Sequence, residues 1–176
     1  MFELKPFHVN AQTENVTICS EAFVKNNLLA FRFVLKDPER VIYIPNGPKE
    51  RQDNLWQSTC LEAFWSESGT LNYWEMNISP CGAWNLYKFN DYRTPTPPVR
   101  EERILNISFE SVSRGNETTF KVEVPLENLF LDNKKLDVSL TSVIEFKNKE
   151  KSYFAIRHVN TKPDFHQRES FVCNLG

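Results

Sequence analysis

Apolar and polar residues alternate along most of this chain with a period of two, and turn residues break the alternation at short intervals. The runs are Leu28–Lys36, Val41–Ile44, Cys60–Trp65, Asn72–Ser79, Ala83–Phe89, Arg103–Glu110, Glu117–Val124, Asp137–Phe146, Ser152–His158 and Ser170–Leu175. They are rich in Phe, Tyr, Val and Ile, which suit a pleated, half-buried surface. Between them stand Lys36-Asp37-Pro38, Pro45-Asn46-Gly47-Pro48, Ser113-Arg114-Gly115-Asn116 and Asp132-Asn133, the chemistry of tight turns. Helical periodicity is nearly absent; Pro125–Phe130 reads as one helical turn crossing between sheets. The pattern predicts an all-β fold, a single jelly-roll-like antiparallel β-sandwich of about ten strands.

Successive side chains of a strand point to opposite faces, so each run splits in two. Leu61, Ala63 and Trp65, with Trp74, Met76 and Ile78, form one wholly apolar face. Phe31 and Phe33 join that face from the Leu28–Lys36 run and leave Arg32 on the other side. The opposite face carries Cys60, Glu62, Phe64, Tyr73, Glu75, Asn77, Asn85, Tyr87 and Phe89. The apolar set is the expected core, and the mixed set is the expected place for chemistry.

Length and composition narrow the classes. A chain of 176 residues predicts one domain over residues 1–176, long enough to fold without disulfides or metals. Net charge is −2 and no Lys/Arg run would build a basic face, which argues against a nucleic-acid partner. No stretch approaches the ~18 apolar residues of a membrane span. The N-terminus lacks a basic stretch followed by an apolar core, so no signal peptide is expected, and the expected compartment is the cytoplasm. The four widely spaced cysteines are expected to be free thiols in a reducing environment. The sequence says nothing of oligomeric state.

Carboxylates, amides and aromatic rings on one sheet face suit a sugar. Carboxylates and amides accept and donate paired hydrogen bonds to vicinal hydroxyls, and rings cover the apolar face of a pyranose. An ordinary solvated sheet face would hold the same residue types. Glu62 and Glu75 on neighbouring strands also resemble a glycosidase pair, although Arg32 or Arg157 would commonly neutralise such a pair in a structural network. No nucleophile elbow or phosphate loop accompanies them, and the expectation is a non-catalytic protein. His158, Asp164 and His166 have metal-ligand chemistry, but hydrogen bonding of Asp164 and His166 within their own loop is the favoured reading.

Two segments resemble a known group. They are Leu55-Trp56-Gln57-Ser58-Thr59-Cys60-Leu61-Glu62-Ala63-Phe64, followed by Tyr73-Trp74-Glu75-Met76-Asn77-Ile78-Ser79-Pro80-Cys81-Gly82-Ala83-Trp84, and the later His158–His166 stretch. Together they resemble the DOMON-like superfamily, specifically small free-standing bacterial DOMON-like proteins related to family 9 carbohydrate-binding modules. The resemblance covers roughly residues 28–175. It implies a jelly-roll-like sandwich whose relatives bind sugars or haem. By motif, Trp56 matches the first of two Trp rings that clamp a sugar in family 9 modules; no second ring is assignable. Haem-binding relatives use Met, His or Lys as axial ligands. The candidates here are Met76, His158 and His166, and alternation puts Met76 on the apolar face.

The expected function is therefore a ligand-binding module for a carbohydrate or similar polyol, with no cofactor. The expected cleft is built from Trp56, Glu62, Tyr73, Glu75, Asn77, Arg157 and His158. Two alternatives stay open: a structural or protein-interaction domain whose ancestral pocket is filled, and a haem- or metal-binding protein. An open face at Trp56 and Glu75 favours the first reading.

Overall fold

The computed structural model describes residues 1–127, 129 and 135–176, with thirteen strands, three 3-10 turns and no α-helix among them. Numbered in chain order, one sheet runs β1 (Phe2–Glu3), β3 (Thr17–Lys25), β4 (Leu28–Lys36), β10 (Glu117–Pro125), β9 (Ser108–Arg114). The other runs β2 (Lys5–Pro6), β12 (Lys151–Ala155), β11 (Leu136–Glu145), β5 (Cys60–Glu67), β6 (Tyr73–Ile78), β7 (Trp84–Phe89), β8 (Val99–Arg100). A last strand, β13 (Cys173–Leu175), also pairs with β11. Every ladder between these strands is antiparallel.

The expected core face is the observed one. Leu61, Ala63, Trp65, Trp74, Met76, Ile78, Phe31 and Phe33 all lie buried in one hydrophobic cluster between the sheets. Phe31 of one sheet meets Trp65 of the other with ring centroids 5.6 Å apart, and Trp65 stacks on Trp74. The register explains this: Trp65 pairs with Trp74 and Ala63 with Met76, so the inward positions of β5 and β6 coincide.

The two sheets differ on their outer faces. The first sheet's outer face meets solvent and carries charge, as in the cross-strand Arg32–Glu21 pair at 3.1 Å. The second sheet is covered on both sides. On its outer face Cys60, Phe64, Tyr73, Tyr87, Phe89, Val143, Ala155, Phe165 and Phe171 form a second apolar cluster. That cover explains why β5 and β6 are buried at nearly every position, polar residues included.

Several boundaries differ from expectation for identifiable reasons. β3 lacks a strong apolar alternation, because only Ile18 and Ser20 of its nine residues are buried. The two-residue strands β1, β2 and β8 are too short to show any period. Val41–Ile44 contributes only an isolated bridge, Ile42 to Phe146. The strand expected from Arg103 begins at Ser108, and Ile104 fills the core from a loop instead. The expected helical turn at Pro125–Phe130 and the turn at Asp132-Asn133 reach outside the described residues.

The β6–β7 hairpin requires a glycine. Gly82 has φ of +95°, and a Cβ there would lie 2.9 Å from Lys49 Cγ and 3.0 Å from Phe109 Cδ1. Gly82→Ala is expected to cost about 1–3 kcal/mol through strain and overlap. The urea midpoint of the purified variant measures it; an unchanged midpoint would mean the hairpin adopts another turn.

Candidate functional site

The second sheet's outer face is roofed incompletely, leaving a cleft of about 380 Å³ above β5, β6 and β7. Glu62 and Glu75 lie on its floor, the rings of Trp56, Phe64, Tyr87, Phe89, Tyr153 and Phe165 contribute walls, and Arg93, Pro95, Asp164 and His166 come from the roofing loops.

Alternation along the strands places the floor. In register, Glu62 stands opposite Asn77, and Glu75 stands between Phe64 and Tyr87. Both carboxylates are nearly inaccessible, Glu62 at 3% and Glu75 at 7% exposure. Asn77 Nδ2 donates to Glu75 Oε1 at 2.8 Å, and Thr141 Oγ1 donates to Glu62 Oε2 at 3.3 Å. Neither carboxylate contacts a Lys or Arg among the described residues. Burial, reinforced by the neighbouring Glu75 charge, pushes Glu62 well above the usual carboxylate range. Burial likewise pushes Glu75 up to about 7, against the Asn77 hydrogen bond. The pair therefore binds protons more tightly than free carboxyls do.

The roof is held by Asp164. Its carboxylate accepts from Tyr92 Oη at 2.8 Å, Gln167 Nε2 at 2.8 Å, Arg93 Nη2 at 3.0 Å and the His166 backbone N–H at 3.2 Å. Burial would raise the Asp164 carboxyl, but these donors outweigh it and hold it at about 2. Beneath, the Arg93 backbone N–H donates to the Tyr73 hydroxyl at 3.0 Å, and that hydroxyl meets His166 Nδ1 at 2.8 Å. Burial and the nearby Arg93 charge keep His166 down at about 3, so the imidazole is neutral. With Tyr73 donating to Nδ1, the proton sits on Nε2, 3.7 Å from Glu75 Oε2.

Trp56 is positioned differently. It sits in a 3-10 turn, Leu55–Gln57, entered through a left-handed Asn54, and remains 49% exposed. The preceding segment is anchored to β7: Arg51 Nε donates to Asn85 Oδ1 at 2.9 Å, and Asp53 Oδ1 accepts from Asn85 at 2.7 Å and Tyr87 at 2.8 Å. Arg100 pairs with both Asp53 oxygens, its Nε donating to Oδ1 at 3.0 Å and its Nη2 to Oδ2. The indole is thus held at the mouth by the side-chain anchoring of the segment before it, with little burial of its own.

Of the expected residues, Trp56, Glu62 and Glu75 line the cleft. Tyr73 and Asn77 lie directly beneath it, Tyr73 stacked on Phe89 at 4.7 Å. Arg157 and His158 do not belong to it. Strand β12 ends at Ala155, so alternation does not extend to them; Arg157 points to solvent. His158 Nε2 instead meets the Lys5 carbonyl at 2.8 Å, with the Phe7 ring edge-on at 5.1 Å. The arginine near the carboxylates is Arg93, not Arg32 or Arg157. The sequence reading missed Arg93, Tyr153, Phe165 and the role of His166 in the cleft, and it placed Tyr87 on the right face without assigning it to the cleft. Alternation carried Tyr87 there because it shares the β7 outer face with Asn85 and pairs with Glu75.

The haem and metal alternatives find little support in these positions. Met76 is sealed in the core, His158 is turned to Lys5, and His166 spends Nδ1 on Tyr73. Among the described residues no three His, Cys, Asp or Glu side chains converge as a metal site. No helix among them is long and apolar enough to cross a membrane.

The fold that carries this cleft is one found among carbohydrate-binding modules. The chain is similar to a protein described as a "putative carbohydrate-binding protein" from Bacteroides uniformis ATCC 8492, at 15% identity and TM-score 0.66, over 99% of this chain and 85% of that one. It is also similar to a family 9 carbohydrate-binding module from Caldicellulosiruptor kristjanssonii, solved in complex with glucose and with cellotriose. The glucose complex aligns at 9% identity and TM-score 0.58 over 99% of this chain and 83% of the module; the cellotriose complex aligns at 9% and 0.57, over 99% and 81%. No protein-family model matches the sequence, and no curated protein matches it.

Proposed function

We propose that the protein is a non-catalytic carbohydrate-binding module whose ligand sits in the cleft over Glu62 and Glu75, beside Trp56. The observation that carries this reading is the 49%-exposed Trp56 at the mouth of a cleft floored by buried carboxylates. A large ring kept in water beside inward-facing acceptors is the arrangement a pyranose needs: a surface for its C–H face and partners for its hydroxyls. The likeness in fold to sugar-bound modules points the same way. The motifs favour the free-standing DOMON-like group within that fold.

An enzyme reading is weaker on geometry. Glu62 and Glu75 come from adjacent strands of one sheet and approach a ligand from the same side, whereas a glycosidase flanks the scissile bond with its two carboxyls. The filled-pocket reading is weakened by the cleft itself, whose volume lies at the lower end of the ~300–1,000 Å³ typical of small-ligand sites.

The test is Trp56→Ala, assayed by calorimetric titration against a panel of mono- and disaccharides beside a thermal melt. Binding by wild type should be lost in the variant while stability changes by less than about 0.5 kcal/mol, as for a surface substitution. A loss of ~3–5 kcal/mol with no sugar bound would mean the indole is a structural residue.

A further inference from the structure

Counting donors, acceptors and charges around the cleft shows an imbalance that a neutral sugar does not repair. The titratable groups facing it are Glu62 from β5, Glu75 from β6, the phenols of Tyr87 and Tyr153, and Arg93, Asp164 and His166 from the roofing loops. Arg93 is held by Asp164 at 3.0 Å, and from there its charge still lowers both floor carboxyls without touching either. His166 is neutral. The two floor carboxylates are left with no contacting Lys or Arg among the described residues.

Acceptors dominate in the same place. Glu62 receives the Thr141 hydroxyl, and Glu75 receives the Asn77 amide. Just beneath the floor, the carbonyl oxygen of Asn77, 1% exposed and opposite Glu62 in register, receives no donor from the described residues. The Tyr87 hydroxyl donates away from the cleft, to Asp53. A buried acceptor without a donor is costly, and natural structures rarely retain one without a reason. Around this floor stand the faces and edges of Trp56, Phe64, Tyr87 and Phe89. Acceptors below and rings around are the surroundings of an organic cation, because the π-face attracts positive charge and carboxylates hold its N–H groups.

We infer that the cleft selects a sugar bearing a free amine, a hexosamine, over the neutral sugar of the same ring, with the ammonium seated between Glu62 and Glu75. The inference rests on the carbohydrate-binding reading and adds the ligand class. An ammonium supplies three donors and one positive charge; a hydroxyl at the same place supplies one donor and no charge. The raised affinity of the floor for protons is what an acceptor-rich, cation-poor site shows when its ligand is away.

The experiment titrates the full chain at pH 7.5 with glucosamine, N-acetylglucosamine and glucose, by calorimetry or by ligand-observed NMR. Glucosamine should bind at least tenfold tighter than glucose, and acetylation, which removes the charge and two donors, should abolish the gain. In Glu62→Gln and Glu75→Gln the glucosamine-to-glucose affinity ratio should fall toward one, with thermal melts confirming that both variants are folded. Equal binding of glucosamine and glucose overturns the inference and leaves the sugar-binding reading standing. So does a preference that survives acetylation or both Gln variants. Binding of none of the three, nor of the saccharide panel, overturns both readings together.

Discussion

Met76→Asp is expected to leave the chain unfolded in buffer at 25 °C. Met76 has no solvent exposure, lies on the inward face of β6, and is flanked in register by Ala63 and Leu86 within the core cluster. The substitution removes a packed side chain, at a cost of about 2–5 kcal/mol, and adds a carboxyl with no partner, costing several more whether it ionises or takes up a proton. The sum approaches or exceeds the ~5–15 kcal/mol that stabilises a typical domain. Far-UV circular dichroism and a thermal melt decide it, with Met76→Leu as the control expected to lose less than about 1.5 kcal/mol. A cooperative melt near that of wild type would place Met76 outside the core.

Glu75→Gln is expected to stabilise the unliganded protein on the alkaline side and to leave it unchanged in acid. In the folded protein burial lifts this carboxyl from 4.5 to about 7. Below about pH 4.5 it is protonated whether folded or not and has no effect on stability. As the pH rises from there to about 7, the unfolded chain ionises while the folded one keeps its proton, and stability is lost. At 1.36 kcal/mol per pH unit the full loss is on the order of 3 kcal/mol, a ceiling because Glu62 shares the proton. Gln cannot ionise, so the variant should melt above wild type at pH 8, by at most about 6–12 °C given ~2–4 °C per kcal/mol for a chain of this size. His166 acts on the other side: its folded value of about 3 lies below 6.5, so its contribution is lost as pH falls below 6.5. Wild type should therefore lose stability in acid through His166 and on the alkaline side through Glu75 and Glu62, and Glu75→Gln should lessen the alkaline loss without abolishing it. A variant melting at or below wild type at pH 8 would mean that Glu75 ionises without penalty. A site residue whose replacement stabilises the empty protein is what a binding site under strain predicts.

The floor of this cleft was readable in the sequence because a strand's pleat is a local property. Once Cys60–Trp65 and Asn72–Ser79 are strands, period two puts Glu62, Glu75, Asn77 and Tyr73 on one side and Leu61, Trp65, Trp74 and Met76 on the other, wherever the rest of the chain goes. The same reasoning failed at Arg157 and His158, because it assumed that β12 continued past Ala155, where the chain turns to meet Lys5. The roof was not readable. It depends on Asp164 meeting Tyr92 and Arg93 across more than seventy residues, and on His166 meeting Tyr73 across ninety-three. No periodicity encodes a contact between two loops. The sequence thus determined which side chains share a face and which of those faces is the core. Only the tertiary structure decided that the other face is roofed, that Arg93 is engaged by Asp164, and that two carboxylates are left on the floor with no Lys or Arg in contact among the described residues.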